Sequence, residues 1–439
     1  MGRALILAAC LAAAPASAQD FTTLKGHGGP VMGIAVDTGG RVATASFDNS
    51  IGIWEGASPA WLEGHDAAVN VVKFRSDGFL VSGGDDFTVR VWPAGSVNRV
   101  LGEHRGKVTD ISISTEAGLV ASASWDGTIG LLPLDANWAW ALYPPLDEPD
   151  PRFLKASGAV NAVGFHGPDV LYAATATGEV VRYDLARDAA LPVARHGFGV
   201  NELIVTDDWI AYGAVDGGTR IIDHQGAEIA DFTLDRRPIL SMAYHGDTHQ
   251  LAVGDGHGYI MMVDTADWRI VRDFRATREG PVWALAFSSD GTTIYAGGLD
   301  DVAFGWPVDT LDAYDPGISG QRSFLRAPEE MSNGERQFMR KCSICHALEG
   351  SASRKAGPSL HGLFGRPAGT VPGYRYSDTL RMSDIVWDET TVDALFDQGP
   401  DHYIPGSKMP MQVIAGKDDR ADLIGFLKQA TRENHENEE

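Results

Sequence analysis

Residues 64–92 read GHDAAVNVVKFRSDGFLVSGGDDFTVRVW, and this stretch is one complete unit of a pattern that fills the first three hundred residues. Apolar and polar residues alternate in it over five or six positions at a time, which is typical of half-buried strands. Asp77-Gly78 interrupts the alternation, as Asp48-Asn49 does one unit earlier, and such pairs favour tight turns. The unit therefore predicts short strands joined by tight turns.

The unit recurs with a period near forty residues. A valine or isoleucine follows the start of each repeat, and the seven equivalent positions are Val31, Val69, Val108, Val160, Val200, Ile239 and Val282. The successive spacings are 38, 39, 52, 40, 39 and 43 residues, so one interval carries an insertion. Five units also place an Asp six residues before an apolar or aromatic position, as Asp48 is placed before Trp54.

This period and the Gly-His…Trp signature resemble the WD-repeat family. The resemblance implies an all-β, seven-bladed propeller over residues 19–310, with four strands in each blade. It implies hydrogen bonds from His27 to Asp48 and from His65 to Asp86, which would make these histidines structural. We expect residues 20–24 to form the outer strand of the last blade, because closing the ring removes exposed sheet edges.

The long interval between the third and fourth units contains a segment rich in proline and aromatic residues. Residues 138–153 read WAWALYPPLDEPDPRF. Proline is too frequent there for the interior of a strand, because it cannot donate to a sheet ladder. We expect a loop that projects from one face of the propeller.

Composition limits the kinds of partner. The chain has 439 residues, of which 44% are apolar and 22% are charged, as in ordinary globular proteins. Asp and Glu outnumber Lys and Arg by 59 to 36, so the net charge is −23. We expect no nucleic-acid partner, because phosphate binding needs clustered cations.

The first eighteen residues, MGRALILAACLAAAPASA, have the features of a secretory signal peptide. Arg3 precedes an apolar run, and Ala16-Ser17-Ala18 fits the cleavage rule. An uncleaved anchor and lipoprotein processing at Cys10 are the alternatives. Because the run is shorter than the roughly 20 residues that span a bilayer, we expect cleavage after Ala18 and a periplasmic protein without a membrane span.

Cleavage leaves two cysteines, and both lie in Cys342-Ser343-Ile344-Cys345-His346. Cys-x-x-Cys-His is the attachment sequence for a c-type haem, in which both thiols form thioethers and the His binds iron. The alternatives are half of a zinc site and a redox dithiol. Further cysteines for zinc are absent from the sequence, and the α/β context of a thioredoxin-like motif is absent as well.

The pattern becomes helical after a predicted linker at residues 311–330. Ser332-x-x-Glu335 is a capping box that predicts a helix leading into the Cys-x-x-Cys-His motif. We therefore expect a second, all-α domain over residues 331–432 and a disordered acidic tail at residues 433–439.

Residues 334–431 resemble mitochondrial-type class I cytochrome c. The resemblance runs through residues 357–366 (GPSLHGLFGR), 374–378 (YRYSD) and 403–409 (YIPGSKM). It implies one covalent haem c on Cys342 and Cys345, with the iron held by His346 and Met409. Met411 competes for the role of sixth ligand in the sequence Lys-Met-Pro-Met.

The resemblance also assigns residues around the haem. It implies that the carbonyl group of Pro358 orients His346, and that Arg366, Tyr376 and Trp387 face the haem propionates. Leu380 and Leu395 stand where the family usually has polar residues near the methionine, so we expect a drier distal side.

The charge of this domain differs from that of its relatives. Asp401-His402 occupy positions where relatives carry lysines that face redox partners. Residues 329–439 contain 13 Lys and Arg against 18 Asp and Glu, which gives a net charge of −5. We therefore expect a basic or weakly charged redox protein as partner; the sequence does not predict an oligomeric state.

These features predict an electron carrier rather than an enzyme. Iron held on both sides has no open position for a substrate, and the propeller then acts as the docking platform for a redox partner. The alternative is a redox enzyme whose propeller holds the substrate or a second cofactor and whose haem is the electron outlet. We identify no catalytic residues in the sequence.

Overall fold

The computed structural model describes residues 21–56, 58–93, 98–134, 150–234, 238–277, 280–313, 331–350, 354–410 and 412–432. Within them, seven antiparallel sheets of four strands follow one another, and a helical domain comes after them. Strands that are consecutive in the chain pair within each sheet. The predicted fold, a seven-bladed β-propeller followed by an α-helical domain, is confirmed.

The blades take their strands in chain order. The first three blades consist of β2 (Val31–Val36), β3 (Val42–Ser46), β4 (Ser50–Trp54) and β5 (Pro59–Glu63); β6 (Val69–Phe74), β7 (Leu80–Gly84), β8 (Thr88–Trp92) and β9 (Arg99–Glu103); and β10 (Val108–Ser114), β11 (Leu119–Ser124), β12 (Thr128–Pro133) and β13 (Arg152–Lys155). The next three consist of β14 (Val160–His166), β15 (Val170–Thr175), β16 (Glu179–Asp184) and β17 (Ala189–Arg195); β18 (Val200–Val205), β19 (Ile210–Ala214), β20 (Thr219–Ile222) and β21 (Glu228–Asp231); and β22 (Ile239–His245), β23 (Gln250–Asp255), β24 (Tyr259–Asp264) and β25 (Arg269–Arg275).

The seventh blade combines the two ends of the propeller sequence. It consists of β1 (Thr22–Lys25), β26 (Val282–Phe287), β27 (Thr293–Gly298) and β28 (Val302–Pro307). The outer strand β1 pairs antiparallel with β28, with Thr22 opposite Gly305 and Lys25 opposite Val302. The predicted closure of the ring by the first strand is confirmed, and it leaves β28 with partners on both sides.

The seven repeat positions found in the sequence are the first residues of the first strands. Val31, Val69 and Val108 each have 0% of their surface exposed. The first strand of each blade contacts the first strands of the blades on either side, so these strands surround the propeller axis. A β-branched residue at this position fills the space between two sheets and fits the pleated strand.

A hydrogen-bond chain crosses the first blade and recurs in the second. His27 Nδ1 lies 3.0 Å from a carboxylate oxygen of Asp48, and its Nε2 lies 2.7 Å from Thr44 Oγ1. Trp54 Nε1 donates to the same hydroxyl at 2.8 Å. The second blade repeats the chain with His65, Asp86, Ser82 and Trp92. The predicted His–Asp bonds are confirmed, and they satisfy buried polar groups.

Two sides of the ring follow from the antiparallel strands. Turns between second and third strands, such as residues 47–49, leave on the same side as the loops that join one blade to the next, such as residues 26–30 and 64–68. We call this side the upper face. Turns between first and second strands, such as residues 246–249, lie on the opposite, lower face.

Two expectations about segment boundaries are wrong. Arg152 and Phe153, expected in a projecting loop, belong to β13, and the ring of Phe153 packs edge-on against His104 with centroids 5.2 Å apart. Residues 135–149 of that segment lie outside the described residues. Residues 311–313, expected in the linker, complete the 3-10 helix Val308–Ala313, where Leu311 is buried against the last blades. Residues 314–330 and the predicted tail lie outside the described residues.

The second domain is built from helices and loops around one core. Its helices are α1 (Asn333–Lys341), α2 (Asp378–Arg381), α3 (Glu389–Gln398), α4 (Pro400–Tyr403) and α5 (Lys417–Ala430). Ser332 caps α1 by accepting a hydrogen bond from the backbone N–H of Glu335. A Cβ atom on Gly334 would lie 2.1 Å from the carbonyl oxygen of Asp422, so only glycine permits this approach of α1 to α5.

The described residues were searched for membrane-spanning helices and for metal-binding groups of side chains. None of their helices is both long enough and apolar enough to cross a membrane. In the same ranges, no three His, Cys, Asp or Glu side chains are grouped so that they could hold a metal ion.

Replacing Asp86 by Asn tests the charge in the second blade's hydrogen-bond chain. Burial would raise the pKa of Asp86, but hydrogen bonds and attraction from His65 outweigh it and lower the pKa to about 2. We expect D86N to reduce the free energy of unfolding of the propeller by about 2 kcal/mol at neutral pH. Because the folded-state pKa is lowered, the loss should be complete above about pH 4 and shrink as the pH falls towards about 2.

The measurement is urea unfolding followed by tryptophan fluorescence over a pH series. The matched control is Asp267→Asn, whose exposed carboxylate lies 3.3 Å from Arg269; such surface pairs contribute about 1 kcal/mol at most. A loss for D86N that stays the same size at low pH would show that packing, and not charge, is responsible.

Candidate haem site

A cavity of about 310 Å³ lies against α1, α3 and the loops of the helical domain. Most of its lining is apolar, as in cofactor sites generally. Cys342, Cys345, His346 and Met409 all line it. The structure therefore brings the four residues predicted to hold the haem to a single cavity.

The end of α1 sets the positions of the two thiols and the imidazole. The N–H of Cys342 donates to the carbonyl oxygen of Phe338 and continues the helix, and the N–H groups of Cys345 and His346 both donate to the carbonyl oxygen of Cys342. This turn presents three side chains to the same cavity. Phe338 packs against Phe426 of α5 with centroids 5.6 Å apart, which anchors α1 to the closing helix.

His346 is fixed by one hydrogen bond. Its Nδ1 lies 2.8 Å from the carbonyl oxygen of Pro358. An imidazole that donates from Nδ1 keeps Nε2 available for a metal. Burial lowers the pKa of His346, and the nearby cations Arg366 and Lys355 lower it further. The imidazole is therefore neutral at pH 7, as an iron ligand must be.

Gly357 makes room for this imidazole. A Cβ atom at Gly357 would lie 2.5 Å from His346 Cε1 and 2.9 Å from Nε2. Sequence reasoning included Gly357 in a matching stretch but gave it no role. The role could have been found from the position of Gly357 in the sequence. It directly precedes Pro358, the residue whose carbonyl group orients the histidine.

Cys342 is buried and Cys345 is partly buried. Burial raises the pKa of Cys342 to about 12, and the neighbouring Cys345 adds to the effect. Burial also raises the pKa of Cys345. Both sulfurs are thus neutral thiols at pH 7, which disfavours a reactive redox dithiol, because that chemistry needs a thiolate.

The residues predicted near the propionates also line the cavity. Arg366 donates to the carbonyl oxygens of His361 and Ser359 and lies at the cavity with Tyr376 and Trp387. Tyr374, which sequence reasoning left without a role, donates from its hydroxyl to the carbonyl oxygen of Ala356 at 2.8 Å. Contacts with propionates stay a prediction for all of these side chains.

The segment that carries Met409 follows α4. Gly399 separates α3 from α4 with a φ of 86°, a left-handed conformation that favours glycine. Met409 is half-buried, and it packs against the core of the helical domain. Met411, the competing ligand, lies outside the described residues. Leu380 and Leu395 both line the cavity, at the positions expected to make its distal side apolar.

The propeller also contributes to the lining, which sequence reasoning missed. Phe47 and Asn49 from the first blade, Asp66 and Ala68 from the loop before the second, and Asp85 from the following turn all border the cavity. These residues lie on the upper face. Nothing in their spacing distinguishes them from ordinary turn residues.

The donor set fits haem c. A buried thiol and a partly buried thiol lie one turn apart, a neutral imidazole has Nε2 available, and a thioether lies at the same apolar cavity. These are the groups that form the thioethers and the axial bonds of a c-type haem. The fold and site define a class of protein, a β-propeller joined to a domain that carries a c-type haem.

Comparison with known proteins identifies both parts. The family model "Cytochrome c" matches residues 331–431. The model "WD domain, G-beta repeat" matches residues 19–55, 58–93, 95–131 and 268–306, which correspond to the first three blades and the last. Apart from β25, these ranges do not include the middle three blades, which have the same four-stranded fold.

Individual relatives match the helical domain. Cytochrome c of Sesamum indicum is 44% identical over 111 residues, which are 25% of this chain and 98% of that protein. Cytochrome c of Nigella damascena is 42% identical over 111 residues, with the same shares, and that of Ginkgo biloba is 42% identical over 104 residues, 24% of this chain and 91% of that protein. Through this domain the chain belongs to the cytochrome c family, which carries covalently bound haem c.

Replacing Gly357 by Ala tests how the imidazole is held. The new methyl group would overlap the ring of His346, so the ring must move away from the carbonyl oxygen of Pro358. We expect a haem-to-protein ratio several-fold below that of the wild type and a weaker low-spin spectrum. Both quantities are read from the absorption spectrum of the purified protein.

Gly425→Ala is the matched control, because a Cβ atom there has no neighbour within 4 Å. Alanine in that exposed position of α5 should stabilise the helix by up to about 1 kcal/mol and leave the haem content unchanged. Wild-type haem content in G357A would contradict the role of Gly357.

Proposed function

We propose that this chain is an exported electron-transfer protein of the periplasm. Its single haem c is held covalently by Cys342 and Cys345 and axially by His346 and Met409, and its propeller is the docking platform for a redox partner. The observation that carries the proposal is the convergence of the two thiols, the imidazole and the thioether on one apolar cavity.

Two of the chain's own side chains would hold the iron of a bound haem. His346 contributes a neutral nitrogen oriented by Pro358, and Met409 contributes a soft, uncharged sulfur from a loop on the same cavity. When bound, haem c supplies a one-electron couple between ferric and ferrous iron. With His346 and Met409 both bound to the iron, no position on it would be left for a substrate, which supports electron transfer over catalysis.

The apolar lining of the haem cavity suits electron transfer. Leu380, Leu395 and Phe396 line the cavity together with Trp387. A cavity that excludes water favours the less charged, reduced state of the iron, and methionine ligation acts in the same direction. The lining therefore supports a carrier that accepts electrons readily.

The propeller supports a docking role. Trp125, Phe198 and Leu299 are 54%, 58% and 45% exposed. All three lie in turns or blade-joining loops of the upper face, the face that also borders the haem cavity. Exposed apolar side chains on that face give a partner protein apolar surface to bury. With a net charge of −23, a basic or weakly charged redox protein is the partner that fits.

Export is proposed from residues 1–18, which lie outside the described residues. The charged start, apolar run and Ala-x-Ala site are those of a cleaved signal peptide, and haem attachment to a Cys-x-x-Cys-His motif is compatible with that destination. Expression in a bacterium competent in cytochrome maturation should yield a periplasmic, coloured protein whose first residue is Gln19. Fractionation and N-terminal sequencing measure both points; an intact Met1 in a cytoplasmic fraction would contradict export.

Replacing Met409 by Ala tests the sixth ligand. The wild type should bind carbon monoxide poorly in the ferrous state, because the thioether occupies the site, whereas M409A should bind it readily. Met382→Ala, at a methionine that is 77% exposed, should behave as the wild type. Absorption spectra with and without carbon monoxide give the result.

Two outcomes would count against the proposal. Ready binding of carbon monoxide by the wild type would show that Met409 does not close the iron site. A second chromophore in the purified protein, beyond one low-spin haem c, would favour the alternative in which the propeller is catalytic.

A further inference from the structure

The side of the helical domain that carries Met409 faces the propeller. Lys408, the residue before Met409, extends its Nζ to 3.0 Å from Asp66 Oδ1, in the loop between the first two blades. Arg375, from the segment before α2, reaches the same oxygen with Nη1 at 3.3 Å. A single propeller carboxylate thus joins two separate segments that flank the haem cavity.

The charge of Asp66 fits this role. Partial burial would raise the pKa of Asp66, but hydrogen bonds and attraction from Lys408 and Arg375 outweigh it and lower the pKa. The carboxylate is therefore ionised at pH 7. Both of its partners are cations, so the contact is an ion-pair cluster, which is stronger than a single exposed pair.

A second contact lies at the outer strand of the first blade. Arg354 pairs with Glu63, and its guanidinium carbon lies 4.2 Å from the ring centroid of Trp61. A cation over an indole face is a favourable arrangement. The backbone also takes part, because a Cβ atom on Gly28 would lie 2.1 Å from the carbonyl carbon of Arg354. The two domains thus touch closely enough there to require a glycine.

The charges on the two sides are complementary. The helical domain presents Arg354, Lys355, Arg375 and Lys408, although residues 329–439 carry a net charge of −5. Burial lowers the pKa of Lys355, while the carboxylates of Asp301 and Asp48 on the propeller oppose that shift. Cations of an acidic domain are therefore gathered on the side that meets an acidic propeller.

We propose that the first two blades form the outer wall of the haem cavity and that Asp66 is the positioning residue that holds this wall closed. Phe47, Asn49, Ala68 and Asp85 then cover the side of the cavity beside the Met409 segment, so solvent and small reductants reach the haem less easily. The proposal rests on haem occupying the cavity and not on the identity of the sixth ligand.

Two variants open the wall by different means. Asp66→Asn removes the charge that Lys408 and Arg375 share, and Gly28→Ala places a methyl group against the backbone of Arg354. Asp66 lies in a surface loop with its side chain half exposed, and the nearest atoms to the added methyl group all belong to Arg354 and Lys355. Both variants should leave the propeller folded.

The experiment uses the full-length, haem-loaded protein. The rate of reduction of ferric haem by uncharged hydroquinone should rise about two- to fivefold in D66N, as expected for the loss of exposed ion pairs. It should also rise in G28A, because the added methyl group pushes the two domains apart. An uncharged reductant is chosen because the change of charge at residue 66 then does not alter its encounter with the protein. Backbone hydrogen exchange in residues 404–410 should increase in the same two variants.

A salt series and a conservative substitution distinguish positioning by Asp66 from a general loss of protein stability. Raising the salt concentration from about 0.02 to about 0.5 M screens exposed ion pairs, so it should accelerate reduction of the wild type. D66N should respond less, because the Arg354–Glu63 pair is still present but the Asp66 pairs are gone. Asp66→Glu keeps the charge and should return both readouts towards wild-type values.

Asp267→Asn and Gly246→Ala are matched controls on the lower face. Asp267→Asn removes an exposed carboxylate. Gly246→Ala adds a methyl group at ordinary contact distance from its neighbours. Both controls should match the wild type in reduction rate and in hydrogen exchange.

The proposal is overturned if D66N and G28A match the wild type in reduction and exchange, or if the two controls shift equally. A failure of Met409 to bind the iron would appear separately, as carbon monoxide binding by the wild type, and would leave this result interpretable.

Discussion

The hydrogen bond from His346 Nδ1 to the carbonyl oxygen of Pro358 is the interaction on which the haem site depends. It fixes which nitrogen can bind iron and the plane of the ring at once. The bond forms only because Gly357 leaves space for the imidazole. The turn at the end of α1 then places both thiols at the same cavity, and the packing of α1 on α5 at Gly334 holds that turn in place.

Most of the propeller could be predicted from the sequence, because the same packing requirement recurs in every blade. Seven positions, one per blade, must fill the space between neighbouring sheets beside the axis, and a buried β-branched residue does so each time. Strand β13 was not predicted, because no recurring packing requirement marks it in the sequence. Its four residues follow a proline-rich stretch, and Arg152-Phe153 is too short an alternation to outweigh that composition. Single edge strands have little sequence signal of their own.

The haem ligands were predictable because they are close together in the sequence or lie in stretches that resemble a known family. The contact between the domains was not. Asp66 and Lys408 are 342 residues apart, and Glu63 and Arg354 are 291 apart. Lone charges in turns have no periodicity, and the backbone approach at Gly28 depends on a surface that exists only after both domains have folded. Sequence patterns report local structure, and this interface is entirely non-local.

The pairing of β1 with β28 has a consequence for biogenesis. Thr22 and Gly305 are about 280 residues apart, so the amino-terminal strand cannot find its place until nearly the whole propeller has been synthesised. Contacts of such long range form slowly, and a chain interrupted before residue 302 would leave β27 unpaired along one edge. The helical domain follows the propeller in the chain, so a complete ring can be ready to receive it.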